Sequence, residues 1–308
     1  MTMDAIEICG ISKSYRKVSA VRNISLSVGQ GEIFGLIGPD GAGKTTLFRI
    51  MTTLMPADSG RGRICGMDIV KDYFKIRRII GYMPGRFSLY QDLSVYENLD
   101  FFATLFGTTV RDSYATIREI YSQIEPFRDR RAGKLSGGMK QKLALCCALV
   151  HKPSVLFLDE PTTGVDAVSR KDFWTMLDRI RLSGVTIFVS TPYMDEASLC
   201  DRLALIKEGE IIGTGTPSEI ISRYPYRILS IKAGRMYPLL KALRQIDGVL
   251  SCFSFGDSHH LAYSPERTSM QKILAEAAER GFTDCTAKEI TPGIEDCFMQ
   301  LSKKWTQN

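Results

Sequence analysis

At 308 residues the chain has room for one large or two ordinary domains, each with its own core. A composition of 44% hydrophobic and 24% charged residues, with 26 Gly and 12 Pro, excludes a disulfide miniprotein, a disordered chain and a fibre. A net charge of +6 on 40 basic and 34 acidic residues, with no long basic run, describes a solvated surface of mixed sign, and no nucleic-acid partner is expected.

Met1-Thr2-Met3-Asp4 has neither a basic stretch nor an apolar core, so no secretory leader is read there. The longest apolar run, Leu143 to Val150, is far short of the roughly 20 residues that cross a bilayer, and a cytosolic chain is expected. The cysteines at 9, 65, 146, 147, 200, 252, 285 and 297 form no C-x-x-C pair and lie in apolar stretches, which reads as reduced core residues.

The first strong signal is the apolar run Ile33-Phe34-Gly35-Leu36-Ile37, followed by Gly38-Pro39-Asp40-Gly41-Ala42-Gly43-Lys44-Thr45-Thr46 and a helical pattern through Leu47, Ile50, Met51 and Leu54. Strand, glycine loop and helix in that order fit G-x-x-x-x-G-K-[ST], in which backbone N–H groups turn inward around phosphate oxygens and the helix N-terminus adds positive potential. Lys44 would hold terminal phosphates and the Thr45 hydroxyl would ligate Mg²⁺; the alternative is a glycine-rich turn with an incidental lysine. Further on, Val155-Leu156-Phe157-Leu158 suits a strand buried on both faces of a parallel sheet. Asp159 and Glu160 then fall at its C-terminal end, where open α/β sheets bind ligands. Asp159 would hold Mg²⁺ through water and Glu160 would act as general base on an attacking water, although an Asp-Glu pair after a strand is by itself also a common turn.

Between these runs lies Lys134-Leu135-Ser136-Gly137-Gly138-Met139-Lys140-Gln141-Lys142-Leu143, and here the chain resembles the ATP-binding subunits of ABC transporters. The resemblance extends over about residues 3–220. It implies an α/β P-loop NTPase of the ABC ATPase type, with a mixed-sheet core, an antiparallel β subdomain and a helical subdomain, in residues 1–222. It implies ATP and Mg²⁺ as cofactors. Tyr15 matches the aromatic on which adenine stacks, and Ser136, Gly137 and Gly138 match the loop that faces ATP held by the opposite subunit of a head-to-tail dimer. Thr163-Gly164-Val165-Asp166 resembles the D-loop, and the stretch Gly81-Tyr82-Met83-Pro84 through Leu99 resembles the segment that meets a coupling helix of the permease. The wording of that stretch and of Ser190-Thr191-Pro192-Tyr193-Met194-Asp195-Glu196-Ala197 is similar to exporters whose permeases are of the ABC-2 type, including multidrug exporters.

Three positions depart from the family pattern. Gly85 stands where the family has the Gln that senses the γ-phosphate, Pro192 where it has a His bonded to that phosphate, and Asp40 where Asn is more usual. Proline offers neither a side-chain donor nor a backbone N–H. The resemblance therefore implies an ATPase subunit driving a separate integral-membrane permease from the inner face of the membrane, paired with a second ATPase subunit or with itself. A weakly hydrolysing, regulatory half of an asymmetric heterodimer is the alternative, followed by a soluble ABC protein acting on ribosome or DNA.

After Thr216-Pro217-Ser218-Glu219 that pattern stops, and 225–308 reads as a small second domain. Strand 227–233, helix 236–246, strands 249–255 and 259–264, helix 266–280 and strand 282–290 give the order βαββαβ of a ferredoxin-like α+β fold. A final helix from Ile294 to Trp305 has apolar residues at Ile294, Cys297, Phe298, Leu301 and Trp305 on one face. His259-His260 reads as a strand start, and no catalytic constellation is expected in this part.

Overall fold

The computed structural model describes residues 4–306, with side chains through Ser302. Met1–Met3, part of the stretch read as free of a leader, and the Trp305 side chain lie outside the described residues. The chain divides at Pro217/Ser218 into two compact units.

The first unit opens on a hairpin, β1 (Ile6–Tyr15) and β2 (Val18–Val28), whose inward residues Ile6, Ile8, Ile11, Val21 and Ile24 are buried. Every residue of β3 (Ile33–Ile37) is buried, as its unbroken apolar run requires. After α1 (Lys44–Met51) come β4 (Ser59–Ile64) and β5 (Met67–Asp68), which join the first two strands in an antiparallel sheet of order β2-β1-β4-β5. The helix α1 is shorter than its sequence pattern: Thr52 donates its hydroxyl to the Phe48 carbonyl, Thr53 turns to φ 61°, and Leu54 is left outside the helix and 58% exposed.

Then α2 (Tyr73–Ile79) leads into β6 (Ile80–Met83), and α3 (Val95–Leu105), α4 (Val110–Tyr121) and α5 (Gly137–Leu149) form the helical part. The chain re-enters the sheet as β7 (Val155–Asp159), crosses by α6 (Ala167–Leu182) to β8 (Thr186–Thr191), and closes with the hairpin β9 (Arg202–Lys207) and β10 (Glu210–Gly215). The six strands run in the order β10-β9-β3-β8-β7-β6, parallel except for the last hairpin strand, so the expected mixed sheet is present. Under it, Phe48 of α1 lies with its ring 4.7 Å from Phe188 and 5.8 Å from Phe157. Fully burying such rings contributes about 1.5–3 kcal/mol each and fixes α1 against β7 and β8.

In the second unit, α7 (Pro217–Ser222), β11 (Arg227–Lys232), α8 (Met236–Leu243), β12 (Val249–Phe255), β13 (Ser258–Tyr263), α9 (Met270–Glu279), β14 (Thr286–Ile290) and α10 (Ile294–Thr306) follow. The sheet order β12-β13-β11-β14, all antiparallel, is that of a ferredoxin-like fold. Leu229, Ile231, Leu239, Leu243, Leu261 and Ile273 form a core of its own. His259 and His260 do start a strand: His259 Nε2 is 2.7 Å from the Met236 carbonyl, and His260 Nδ1 is 2.9 Å from Asp296 Oδ1. The cysteine reading needs correction. All eight thiols are free, but Cys9 and Cys65 are exposed and Cys285 half-buried: Cys9 alternates with buried Ile8 on β1 and so faces outward, while Cys65 and Cys285 lie in the connections after β4 and before β14.

Candidate functional site

The parallel register sets Ile37 beside Thr191 and Asp159 beside Ser190, so the C-terminal ends of β3, β7 and β8 meet at one sheet edge. Residues 38–43 turn there into α1. Gly43 has φ 103°, and a Cβ at that position would meet the Ala20 carbonyl at 2.2 Å; only glycine fits. Gly38 receives its place from a hydrogen bond to the Thr191 carbonyl at 3.2 Å. Pro39, Asp40 and Gly41 are exposed, Ala42 is buried, and Thr45 and Thr46 are half-buried at the helix start.

Lys44 is only 3% exposed and folds back over the loop. Its Nζ donates to the carbonyls of Gly38 at 2.8 Å and Pro39 at 3.0 Å, and lies 3.1 Å from Glu160 Oε1. A buried ammonium requires such partners. Asp159 is 2% exposed and accepts from the Ser190 hydroxyl at 2.7 Å and from the Thr45 hydroxyl. Burial pushes its carboxyl above the usual carboxylate range, the Ser190 and Thr45 hydroxyls oppose that, and the Glu160 charge adds to it. Burial, reinforced by the Asp159 carboxylate, likewise pushes the Tyr82 phenol up to about 12. Glu160 sits at φ 51°, a left-handed backbone that costs a non-glycine residue about 1–3 kcal/mol. It is held there by its N–H, which donates to the Ser190 carbonyl at 3.0 Å and hydroxyl at 3.1 Å.

The structure thus brings Lys44, Thr45, Asp159 and Glu160 together. Ser190 orients both carboxylate residues, and the sequence does not mark it, because a hydroxyl at a strand end gives no signal until the register pairs it with Asp159. Tyr15 stands apart, 42% exposed with its hydroxyl donating to Met55 Sδ at 3.0 Å. Ser136 caps α5 by accepting from the Met139 N–H at 3.4 Å, while Ser136 and Gly137 face outward. No hydrogen bond or ion pair among the described residues joins them to residues 38–46. Gly85 lies against the end of β7: a Cβ there would be 3.0 Å from the Asp159 carbonyl and 3.7 Å from Glu160 Cβ.

A cleft of about 580 Å³ opens beside β6, lined by Tyr82, Met83, Phe102, Phe106, Cys147 and His151, with Leu54, Phe74 and Leu105 exposed at its rim. A larger cleft of about 730 Å³ lies at the other end of the sheet, by Cys65, Lys152 and Ser154, far along the strands from these groups. Among the described residues no group of His, Cys, Asp and Glu is arranged as a metal cluster, and no helix is long and apolar enough to cross a membrane.

A strand, a glycine loop with a buried lysine folded back over it, and a carboxylate pair at the end of β7, two strands across the sheet, define a P-loop nucleotide-binding protein. Residues 21–163 match the ABC transporter family. The chain is 37% identical over 307 residues to the probable multidrug ABC transporter ATP-binding protein YbhF of Escherichia coli, which covers 96% of this chain and 52% of that protein. It therefore spans about half the length of that relative. It is 32% identical to the Nod factor export ATP-binding protein I of a Rhizobium species over 98% of both chains, and 37% identical over 217 residues to the linearmycin resistance ATP-binding protein LnrL of Bacillus subtilis, covering 69% of this chain and 70% of that one. Among solved structures, CbiO1 from Clostridium perfringens, part of an ABC transporter complex, matches at a TM-score of 0.64 and 27% identity over 71% of this chain and 91% of that one. The chain belongs to the ATP-binding subunits of ABC transporters.

Proposed function

We propose that the chain is the ATP-binding and ATP-hydrolysing subunit of an ABC-type export system, driving a separate membrane permease through nucleotide-dependent dimerisation. The observation that carries this is the convergence of Lys44, Thr45, Asp159 and Glu160 at one sheet edge. In this reading residues 1–222 are the nucleotide-binding domain and 225–308 a small second domain.

The loop 38–46 wraps the phosphates of ATP, with the N–H groups of Asp40, Gly41, Gly43, Lys44, Thr45 and Thr46 as donors while those of Gly38 and Ala42 bond the Thr191 and Pro39 carbonyls; Lys44 holds the terminal phosphates, and Tyr15 stacks on the adenine. The Thr45 hydroxyl and Asp159 carboxylate form a hard-oxygen pair already in contact with each other, a donor set that suits Mg²⁺ with waters and phosphate oxygens completing its shell. Bound there, Mg²⁺ would neutralise phosphate charge. Glu160, held at its unusual φ by Ser190, orients the attacking water and takes its proton as the terminal phosphoryl group transfers. Ser136 and Gly137, exposed at a helix start, and the half-buried Gly138 serve the ATP of the opposite subunit. The aromatic cleft beside β6 receives a helix of the permease, of ABC-2 type, which holds the chain at the inner face of the membrane. The export activities in the relatives' names, multidrug, Nod factor and linearmycin resistance, support the direction of transport.

A second reading has a specific basis: Gly85 and Pro192 take away the Gln amide and the His that the family directs at the attacking water and the γ-phosphate, each worth about 10²–10³ in rate when well aimed. The chain is then the slower half of an asymmetric heterodimer. One experiment tests both. The purified chain should bind ATP, Lys44→Ala should lose binding by at least about tenfold, and Glu160→Gln should keep binding while hydrolysis drops by about 10²-fold or more. Absence of ATP binding by the unaltered chain overturns the proposal; fast hydrolysis by a homogeneous preparation, lost in Glu160→Gln, overturns the heterodimer reading.

A further inference from the structure

Beside the site, in the same unit, Glu196 is a buried acid without a task assigned above. Glu196 is 2% exposed, beyond the end of β8, and touches none of the residues assigned above to phosphate or metal. Its two oxygens are divided between two loops. Oε1 accepts from the Thr162 hydroxyl at 2.7 Å and Oε2 from the Thr191 hydroxyl at 2.5 Å, and both threonines are buried. Thr162 lies two residues past Glu160, in the turn closed by the Thr163 N–H on the Glu160 carbonyl at 3.2 Å. Thr191 ends β8; its carbonyl accepts the Gly38 N–H, and its hydroxyl accepts the Tyr193 N–H at 3.0 Å, spanning Pro192. Arg170 of α6 stands 3.9 Å from Glu196 Oε1 and stacks on the Tyr193 ring at 4.6 Å.

Burying a carboxylate on two hydroxyls and one distant guanidinium is a poor source of stability, since desolvation costs several kcal/mol and an apolar group of the same shape would avoid it. What the arrangement supplies is geometry. Through Thr162 the carboxylate holds the turn that carries the strained Glu160, and through Thr191 it holds the strand end that positions Gly38. With Pro192 in the loop between, no side-chain donor at 192 can lock these segments from the phosphate side.

We propose that Glu196 is a positioning residue for ATP hydrolysis: it locks the Glu160 turn and the Thr191–Tyr193 loop into one rigid unit, so that Glu160 meets the attacking water in a single orientation. This rests on the reading of Glu160 as general base. Misplacing a catalytic group by an ångström costs about 10²-fold, so Glu196→Ala should lower the single-turnover rate about 10- to 100-fold. Glu196→Gln, whose carbonyl can accept only from one hydroxyl side while its amide cannot accept at all, should fall between it and the native rate.

The test is single-turnover hydrolysis of Mg-ATP by the full chain in excess over nucleotide, with ATP affinity measured in parallel for Glu196→Ala, Glu196→Gln, Thr162→Val and Thr191→Val. The threonine variants preserve shape and guard against a misfolded Glu196 variant. The expected result is a loss of rate with affinity changed less than about threefold, and no further loss when Glu196→Ala is added to Glu160→Gln, because Glu196 acts through Glu160. Native rates in Glu196→Ala and both threonine variants, or an additive loss in the double variant, would overturn the proposal while leaving the ATPase reading in place. A native chain that binds ATP without hydrolysing it would also overturn it, and one that does not bind ATP brings down the functional reading itself.

Discussion

His151 illustrates how a single side chain is committed by its surroundings. Its ring stacks on Phe106 with centroids 3.8 Å apart and 10° between planes, and Nε2 donates to the Ile80 carbonyl at 2.8 Å, which leaves Nδ1 as a buried acceptor without a partner. Protonation would place a buried N–H where nothing receives it. Burial accordingly holds the imidazole below its ordinary value of 6.5, with the Ile80 bond opposing. The folded state thus binds fewer protons than the unfolded one just below that value, so stability is retained above about pH 6.5 and declines as the pH falls through it. The melting temperature of the native chain should drop more between about pH 7.5 and 5.5 than that of His151→Gln, which keeps a donor for Ile80 but does not titrate; equal drops in a thermal scan would contradict the assignment. Lys44, Asp159 and Glu160 could be found from sequence because spacing and strand ends mark them. Ser190 and Glu196 could not, since their importance comes from partners 31 and 34 positions away.

At the scale of elements, α3 and the loop before it are built as one piece. The Ser94 hydroxyl accepts from the Glu97 N–H at 3.1 Å while a Glu97 oxygen accepts from the Ser94 N–H at 2.7 Å, a reciprocal capping box. The Ser94 N–H first, and the Ser94 hydroxyl after it, hold the Glu97 carboxyl below its usual range. Asn98, fully buried, accepts from the Tyr90 N–H at 3.0 Å and donates to the carbonyls of Tyr90 and Ser94 at 3.0 and 2.9 Å, tying residues 90–93 onto the helix. Ser94→Ala should cost about 1 kcal/mol and Asn98→Ala about 2–3 kcal/mol, because it orphans several groups at once. Denaturant titration would check the order, and ATP affinity should be native in both, as neither touches the phosphate loop.

For the whole molecule, the two units have separate cores, and the second includes the fully buried Leu229 of β11. Truncating a fully buried leucine costs about 2–5 kcal/mol through lost contacts and the cavity left behind. Leu229→Ala should lower the transition of the second unit in calorimetry while the affinity for ATP stays native; loss of ATP binding in a variant whose first unit remains folded would show the cores to be coupled. The ferredoxin-like order βαββαβ was readable because each element there is short and amphipathic, and the strand bounds moved by only a few residues. The β2-β1-β4-β5 sheet was readable only through resemblance, since its central pairing, β1 with β4, joins two hairpins that β3 and α1 separate in sequence.

Sequence alone determined which chemistry the chain carries. Gly43 and Lys44 act over a few residues, and their steric and charge requirements leave a local signature. Local pattern also set the periodicity of the buried strands and the absence of a donor at positions 85 and 192. Tertiary structure alone decided which groups act together: the pairing of β7 with β8 puts Ser190 on Asp159, and the approach of residue 196 to residues 162 and 191 turns an ordinary glutamate into a buried strut. The reason is physical. Local sequence governs backbone geometry and burial, whereas a hydrogen bond between distant strands exists only after the sheet register has formed.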